Sequence, residues 1–344
     1  MKNFKIYLLV IIFVFALSSV VDTETAKQRT TFPDFYPQNV AQFKAYLNEH
    51  SRFITIDNVN VHYRDEGKGP VLILLHGFGS SLHTWEGWVN ILKDRFRIIR
   101  MDIVGYGITG PSESGMYSKE LWIDFIHKFA NALELDHFYL AGNSMGGYIA
   151  WNYTNKYPEK VDKLILIDSA GYPHKLPWAI NFSTYLVVKT SAKMVIPKFF
   201  IRLGVKHVYH DKSKVTSELI NHYYGLAIRE GNLNSYMRII QLMKSQSGDS
   251  NLGKEIKNIK VPVMLMWGKD DTCNPIEMLD KWKRDLPDAI SIVYEEASHV
   301  PMEEIPGKTA RDAYSFLMGS DCFISGQSYY YGKNGLIKTD SNCL

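Results

Sequence analysis

Three short stretches carry side chains that together could open and close a bond at a carbonyl carbon. The first is Gly142-Asn143-Ser144-Met145-Gly146, inside "LAGNSMGGYIAW". A serine hydroxyl is a weak nucleophile until a base takes its proton and a third group orients that base. His299 in "EEASHVPMEEIP" supplies a base, and Asp271 in "MWGKDD" supplies an acid to hold its tautomer. Asp270 stands next to Asp271, and Asp168 closes "LILID", so both are also candidates for the acid. The oxyanion formed by such an attack needs two N–H donors. Met145, which follows the serine, offers one. Phe78 in His76-Gly77-Phe78-Gly79 offers the other. His76 is a titratable neighbour whose position suits shaping of that loop better than proton transfer.

These groups need rigid supports. "HFYLA" before the serine reads as a buried strand, and "YIAWNYTNKY" after it reads as a helix. A strand that turns this sharply strains its corner residue, and glycines two positions to either side remove the side chains that would clash. The corner side chain then projects from the sheet end, beside the positive end of a helix. This is the Gly-x-Ser-x-Gly nucleophile elbow. Apolar runs with the same design recur at "PVLILLHGFG", "FRIIRMDIVGYG", "VDKLILIDSAG", "VPVMLMWGKDD" and "ISIVYEEASH". Continuous apolar strands of this kind are buried on both faces. "RFITIDNVNVHYRDEG" alternates about Asp57-Asn58, which predicts a hairpin. Helices are predicted near 82–94, 118–134, 146–157, 275–285 and 307–318, with a short one over "VAQFKAYLNEH". Alternating strands and helices predict a mostly parallel sheet covered on both sides. The alternation breaks from about Tyr172 to Leu252. That segment reads as a helical cap inserted after the sixth strand, with a long helical stretch across "WAINFSTYLVVKTSAKMVIPKFFIRLGV".

With the order Ser144, Asp271, His299 at strand ends, the chain resembles the α/β-hydrolase superfamily from about Phe53 to Met318. "HGFG", "DIVGYG", "GNSMGG", "WGKDD" and "SHVPMEEIP" carry the resemblance. The family's Gly-x-x-Asp spacing favours Asp271 over Asp270. Ser298 stands where the family most often has glycine. "GNSMGGYIAW" with "DSAGYP" is similar to bacterial lipases and carboxylesterases of this superfamily, and "GNSMGG" also resembles its carbon–carbon bond hydrolases. The resemblance implies a serine hydrolase of carboxylic esters, an esterase or lipase that needs no cofactor and no metal. C–C bond hydrolysis of ring-fission products, or ligand binding without turnover on the same fold, are the alternatives.

The rest of the chain bounds this reading. A net charge of +3 over 344 residues gives no basis for nucleic-acid binding, and the 11 histidines are scattered. "MKNFKIYLLVIIFVFALSSVVD" joins Lys2 and Lys5 to an uncharged run from Ile6 to Val21. That is a signal peptide, with Ala16-Leu17-Ser18 as a cleavage site, or an uncleaved signal anchor. Either predicts export to a secreted, periplasmic or membrane-anchored place. Export permits a disulfide, and Cys322 with Cys343 could close the polar C-terminal tail, leaving Cys273 free. The expected organisation is a signal segment at 1–21, an extension at 22–50, a core at 51–171 and 254–318, a cap at 172–253 and a tail at 319–344. "MVIPKFFIRLGV" and "YYGLAI" in the cap predict an apolar roof over Ser144, suited to a hydrophobic acyl chain. Lys189, Lys193, Lys198 and Arg202 could rest on anionic lipid, although a solvated helix face also accounts for them.

Overall fold

The structure, a computed structural model, describes residues 43–177, 180, 188–189, 194–319, 327–332 and 335–337. The N-terminal apolar segment, Lys193, Cys322 and Cys343 lie outside these residues, as does the side chain of Lys189. In chain order the elements begin with β1 (Ser51–Ile56), β2 (Val59–Glu66) and β3 (Val71–Leu75), then α1 (Glu86–Leu92) and β4 (Arg97–Met101). There follow α2 (Lys119–Ala132), β5 (Phe138–Asn143), α3 (Met145–Lys156) and β6 (Val161–Ile167). Between β6 and the next strand of the large sheet lie β7 (Val188–Lys189), β8 (Met194–Val195), α4 (Lys198–Val208), α5 (Ser217–Ala227) and α6 (Asn232–Gln246). The chain closes with β9 (Val263–Gly268), α7 (Glu277–Asp285), β10 (Ile290–Tyr294), α8 (Pro301–Glu304), α9 (Pro306–Met318), β11 (Ser328–Gly332) and β12 (Gly335–Ile337).

The large sheet runs β1-β2-β4-β3-β5-β6-β9-β10-β11-β12, parallel from β4 through β11 and antiparallel at both edges. The β1–β2 hairpin turns through Asp57 and Asn58, both at positive φ (46° and 61°), as an Asp-Asn turn of the primed type requires. Period-2 alternation divides each apolar strand between two cores. In β3, Ile73 and Leu75 enter one core with Trp122 and Phe129 of α2 and Ile149 and Tyr153 of α3. Leu72 and Leu74 enter the other, with Trp88 of α1 and Ala310 and Ala313 of α9. The sheet is thus covered on both faces, which is why these strands read as unbroken apolar runs.

Two local expectations are corrected. The expected helix around Ala45 is a single 3-10 turn over residues 43–46. The long helical stretch of the cap is interrupted: Val188 pairs with Val195 and Lys189 with Met194 in a two-stranded hairpin, and α4 begins only at Lys198. Pro197 explains the late start, because its ring and missing N–H exclude it from a helix interior but suit the position just before one. The sheet also continues past "ISIVY". Ser328–Tyr331 align with Ser291–Tyr294 as a further parallel strand, and Tyr329 is buried beneath it.

Candidate active site

Ser144 caps α3 with φ 53° and ψ −114°, a conformation that an L-residue adopts at a cost. The surroundings hold it there. Its N–H donates to Ile167 O at 2.9 Å, and its carbonyl accepts from Ala170 N and Tyr148 N. A side chain on Gly142 would strike the backbone of Gly146, and one on Gly146 would strike the carbonyls of Leu75 and His76. The two glycines therefore let the first turn of α3 press against the ends of β5 and β3. This brings the N-terminus of α3 beside the His76–Gly79 loop.

That loop is braced by a neutral imidazole. His76 is fully buried; Nε2 accepts from Ile103 N at 3.0 Å, so Nδ1 carries the hydrogen it donates to Gly77 O at 2.8 Å. Burial holds its pKa below the ordinary histidine value. An imidazole with both nitrogens engaged is a strut and not a base. Phe78 packs edge-on to Tyr106 at 5.8 Å and against Tyr236 at 5.5 Å, which orients the peptide ahead of it. The N–H of Met145 belongs to the first turn of α3, where the helix has no acceptor of its own to offer.

His299 and Asp271 are in direct contact: Nδ1 stands 2.7 Å from Asp271 Oδ2. Asp271 Oδ1 accepts from Cys273 N at 2.7 Å and Asn274 N at 3.1 Å. Three nitrogens thus surround the buried Asp271 carboxyl. Asp270 points elsewhere. It is half-exposed and pairs with His210 at 2.5 Å. Asp168 is fully buried behind Asp271, and its Oδ1 accepts from Gly268 N at 2.9 Å. His299 itself is fastened at both ends, its N–H to Val208 O at 3.1 Å and its carbonyl to Asn143 Nδ2 at 2.9 Å.

Ser144 and His299 open on one cavity of about 290 Å³, which Phe78, Met145 and Cys273 also line. Its far walls come from α4, α5 and α6, with Phe200, Ile201, Tyr236, Ile240 and Met243 among them. Among the described lining residues there is no Asp, Glu, Lys or Arg. Asp271, Cys273 and His299 also present donor atoms within 4.8 Å of one another. His299 Nδ1 and both Asp271 oxygens are already engaged, so the set does not read as a metal centre.

Sequence reasoning missed two features. One is Asn143, the variable position of the elbow motif, which spans from β5 to the His299 loop. The other is a second Ser/His/Asp set: His62 Nδ1 meets Asp102 Oδ2 at 2.8 Å and Nε2 meets Ser51 Oγ at 3.2 Å. All three are at most 3% exposed, so this array is closed to any substrate. Asp102 also accepts from Leu82 N and Ile108 N, both at 2.8 Å, and fixes the loops beyond β3 and β4.

The chain is 28% identical over 274 residues to a 2-hydroxy-6-oxo-6-(2'-aminophenyl)hexa-2,4-dienoic acid hydrolase of Metapseudomonas resinovorans, covering 77% of this chain and 90% of that one. It is 28% identical over 262 residues to Lipase 1 of Psychrobacter immobilis, covering 74% and 79%. The crystal structure of a bacterial membrane phospholipase A superposes with a TM-score of 0.67 at 22% identity, over 93% of this chain and 99% of that one, which is a likeness of fold. No helix among the described residues is long and apolar enough to cross a membrane. The alpha/beta hydrolase fold family matches residues 70–306, and the chain belongs to that family.

Proposed function

We propose that this α/β hydrolase is a serine esterase or lipase acting on esters of neutral, hydrophobic acids. The observation that carries the reading is the cavity over Ser144, apolar along its walls and free of charged carboxylate or ammonium groups among its described residues. An acyl chain would gain about 0.8 kcal/mol per methylene buried there. The named relatives divide between lipases and hydrolases of dienoic acids. A dienoate carries a carboxylate, which is costly to bury against a wall that offers no Lys or Arg among its described residues. The cavity wall favours the ester.

In this reading Ser144 Oγ attacks the ester carbonyl while His299 takes its proton. Asp271 holds the imidazole in the tautomer with hydrogen on Nδ1 and stabilises the imidazolium. The N–H groups of Phe78 and Met145 receive the oxyanion. His299 returns the proton to the departing alcohol, and water activated by the same histidine then releases the acid. The helices α4 to α6 act as the cap that sets acyl length. The test is kcat/KM over p-nitrophenyl esters of about two to sixteen carbons, a design range, beside a 2-hydroxy-6-oxo-dienoate. A rise with length to a limit, abolished in Ser144→Ala, is expected. Preferential turnover of the dienoate, or full ester turnover by Ser144→Ala, overturns the proposal.

A substrate of this kind resides in lipid. The apolar segment from Ile6 to Val21 is proposed to bring the chain to that surface, where the exposed Lys198 and Arg202 of α4 meet anionic headgroups. Recovery of the native protein wholly in the cytosolic fraction would refute this.

A further inference from the structure

Asp168 closes β6 in a left-handed conformation, φ 44°. Its N–H donates to Met266 O at 2.9 Å, and its carbonyl accepts from Asn274 Nδ2 at 2.7 Å. This backbone turn sends the side chain, 0% exposed, under Asp271. Oδ1 is satisfied by Gly268 N. Oδ2 is buried and has no donor among the described residues. Asn274 and Gly268 join the two acids: Asn274 donates its N–H to Asp271 Oδ1 at 3.1 Å and its Nδ2–H to the Asp168 carbonyl at 2.7 Å, while Gly268 donates to Asp168 Oδ1 and accepts from Asp271 N at 3.2 Å.

Two carboxylates this close and this dry cannot both be charged, so one proton is shared or held between them. The donors decide where it sits. Asp271 accepts from Cys273 N, Asn274 N and His299 Nδ1, whereas Asp168 accepts from Gly268 N alone. The charge belongs on Asp271 and the proton on Asp168 Oδ2, the atom that otherwise lacks a partner. Burial first, and the Asp271 charge second, push the Asp168 carboxyl well above its ordinary range. Glu304 acts in the same direction, and the nearby Cys273 thiol is itself pushed up by burial, so it stays neutral and adds no negative charge.

We infer that Asp168 is a positioning residue kept as the neutral acid, whose O–H donates to Asp271 and fixes the carboxylate that orients His299. This rests on the reading of Ser144, His299 and Asp271 as the catalytic groups. It gives a role to a strained, buried acid that the hydrolytic steps do not use.

The experiment compares Asp168→Asn and Asp168→Ala with the unaltered chain, each also in a Ser144→Ala background. An asparagine tolerates the left-handed turn, accepts from Gly268 N and donates Nδ2–H to Asp271, as the neutral acid does. It should rescue: kcat within about threefold of the parent, as expected when one donor replaces another, and an unmoved acidic limb of the kcat/KM profile. Alanine removes the donor, and kcat should fall about ten- to a hundredfold with KM unchanged. The infrared spectrum at pH 8 should contain a protonated-carboxyl C=O stretch that Asp168→Asn abolishes. That readout needs no turnover and survives if alanine does not fold. If Asp168 is ionised, the band is absent and Asp168→Asn shifts the acidic limb down by about one unit, since removing a negative charge disfavours the imidazolium; either result overturns the inference. Activity retained by Ser144→Ala would instead remove the catalytic reading, while the infrared band still reports on Asp168.

Discussion

Asn143 Nδ2 donates to the backbone carbonyl of His299 at 2.9 Å and to Ile167 O at 3.1 Å. The residue before the elbow serine thus ties the end of β5 both to β6 and to the loop that carries the histidine. The side chain is 2% exposed, so bulk water does not compete with it for those carbonyls. Asn143→Ala should leave His299 O unsatisfied, cost about 1–3 kcal/mol of stability and lower kcat about tenfold or more. Denaturant unfolding and p-nitrophenyl ester kinetics on the same preparation check both parts. A variant of unchanged stability and rate would mean that the loop is held by its other contacts, such as His299 N to Val208 O.

The adjacent aspartates should separate cleanly. Asp271→Asn keeps the shape of the side chain but removes the charge facing His299 Nδ1, and a loss of kcat of about a thousandfold or more is expected from the wrong tautomer. Asp270→Asn breaks an exposed contact with His210, worth about 0–1 kcal/mol, and should leave the rate near the parent value. Equal losses in the two variants would contradict this assignment.

Glu304 gives a prediction about the junction between α4 and the His299 loop. Its carboxylate accepts from Ser298 N at 3.1 Å, His210 N at 3.0 Å and Asp211 N at 2.6 Å. Glu304→Gln turns one acceptor oxygen into a donor facing an N–H. Because hydrogen bonds to charged groups contribute about 1.5–3 kcal/mol, a destabilisation of that order is expected. Protection of the Ser298 and His210 amides from hydrogen exchange should fall together.

The sealed Asp102 array predicts a pH dependence of folding. Burial pushes the Asp102 carboxyl up, but its contacts, the hydrogen bond and charge interaction with His62 foremost, outweigh burial and hold it well below the usual carboxylate range. A depressed folded-state pKa contributes stability above the unfolded value, and that contribution is lost as the pH falls through the folded one. Asp102→Asn should therefore cost about 3 kcal/mol at neutral pH. The difference from the parent should narrow progressively below about pH 4. A pH-independent difference would show that packing, and not charge, is what Asp102 supplies.

What the sequence by itself determined is what local sterics and period-2 patterning dictate. Ser144 needs Gly142 and Gly146 because the helix backbone presses onto two strand ends, so the elbow is written in five consecutive residues. The runs "VLILL", "VMLMWG" and "ISIVY" declare strands buried on both faces, and the polar loops after them carry Phe78, Asp271 and His299 at the carboxyl ends of the strands. The tertiary structure alone decided the rest. Asn143 meets His299 across 156 residues and Asp168 meets Gly268 across 100, and no periodicity carries such pairings. Whether an aspartate in "GKDD" faces an imidazole or solvent depends on a loop turn fixed by Asn274 and Asp168. The joining of Tyr329 to the sheet depends likewise on a pairing with Ile292 that no local pattern announces. A strand's side chains have two faces to choose from, which the sequence reveals; a loop's side chains have no such period, and only packing selects their partners.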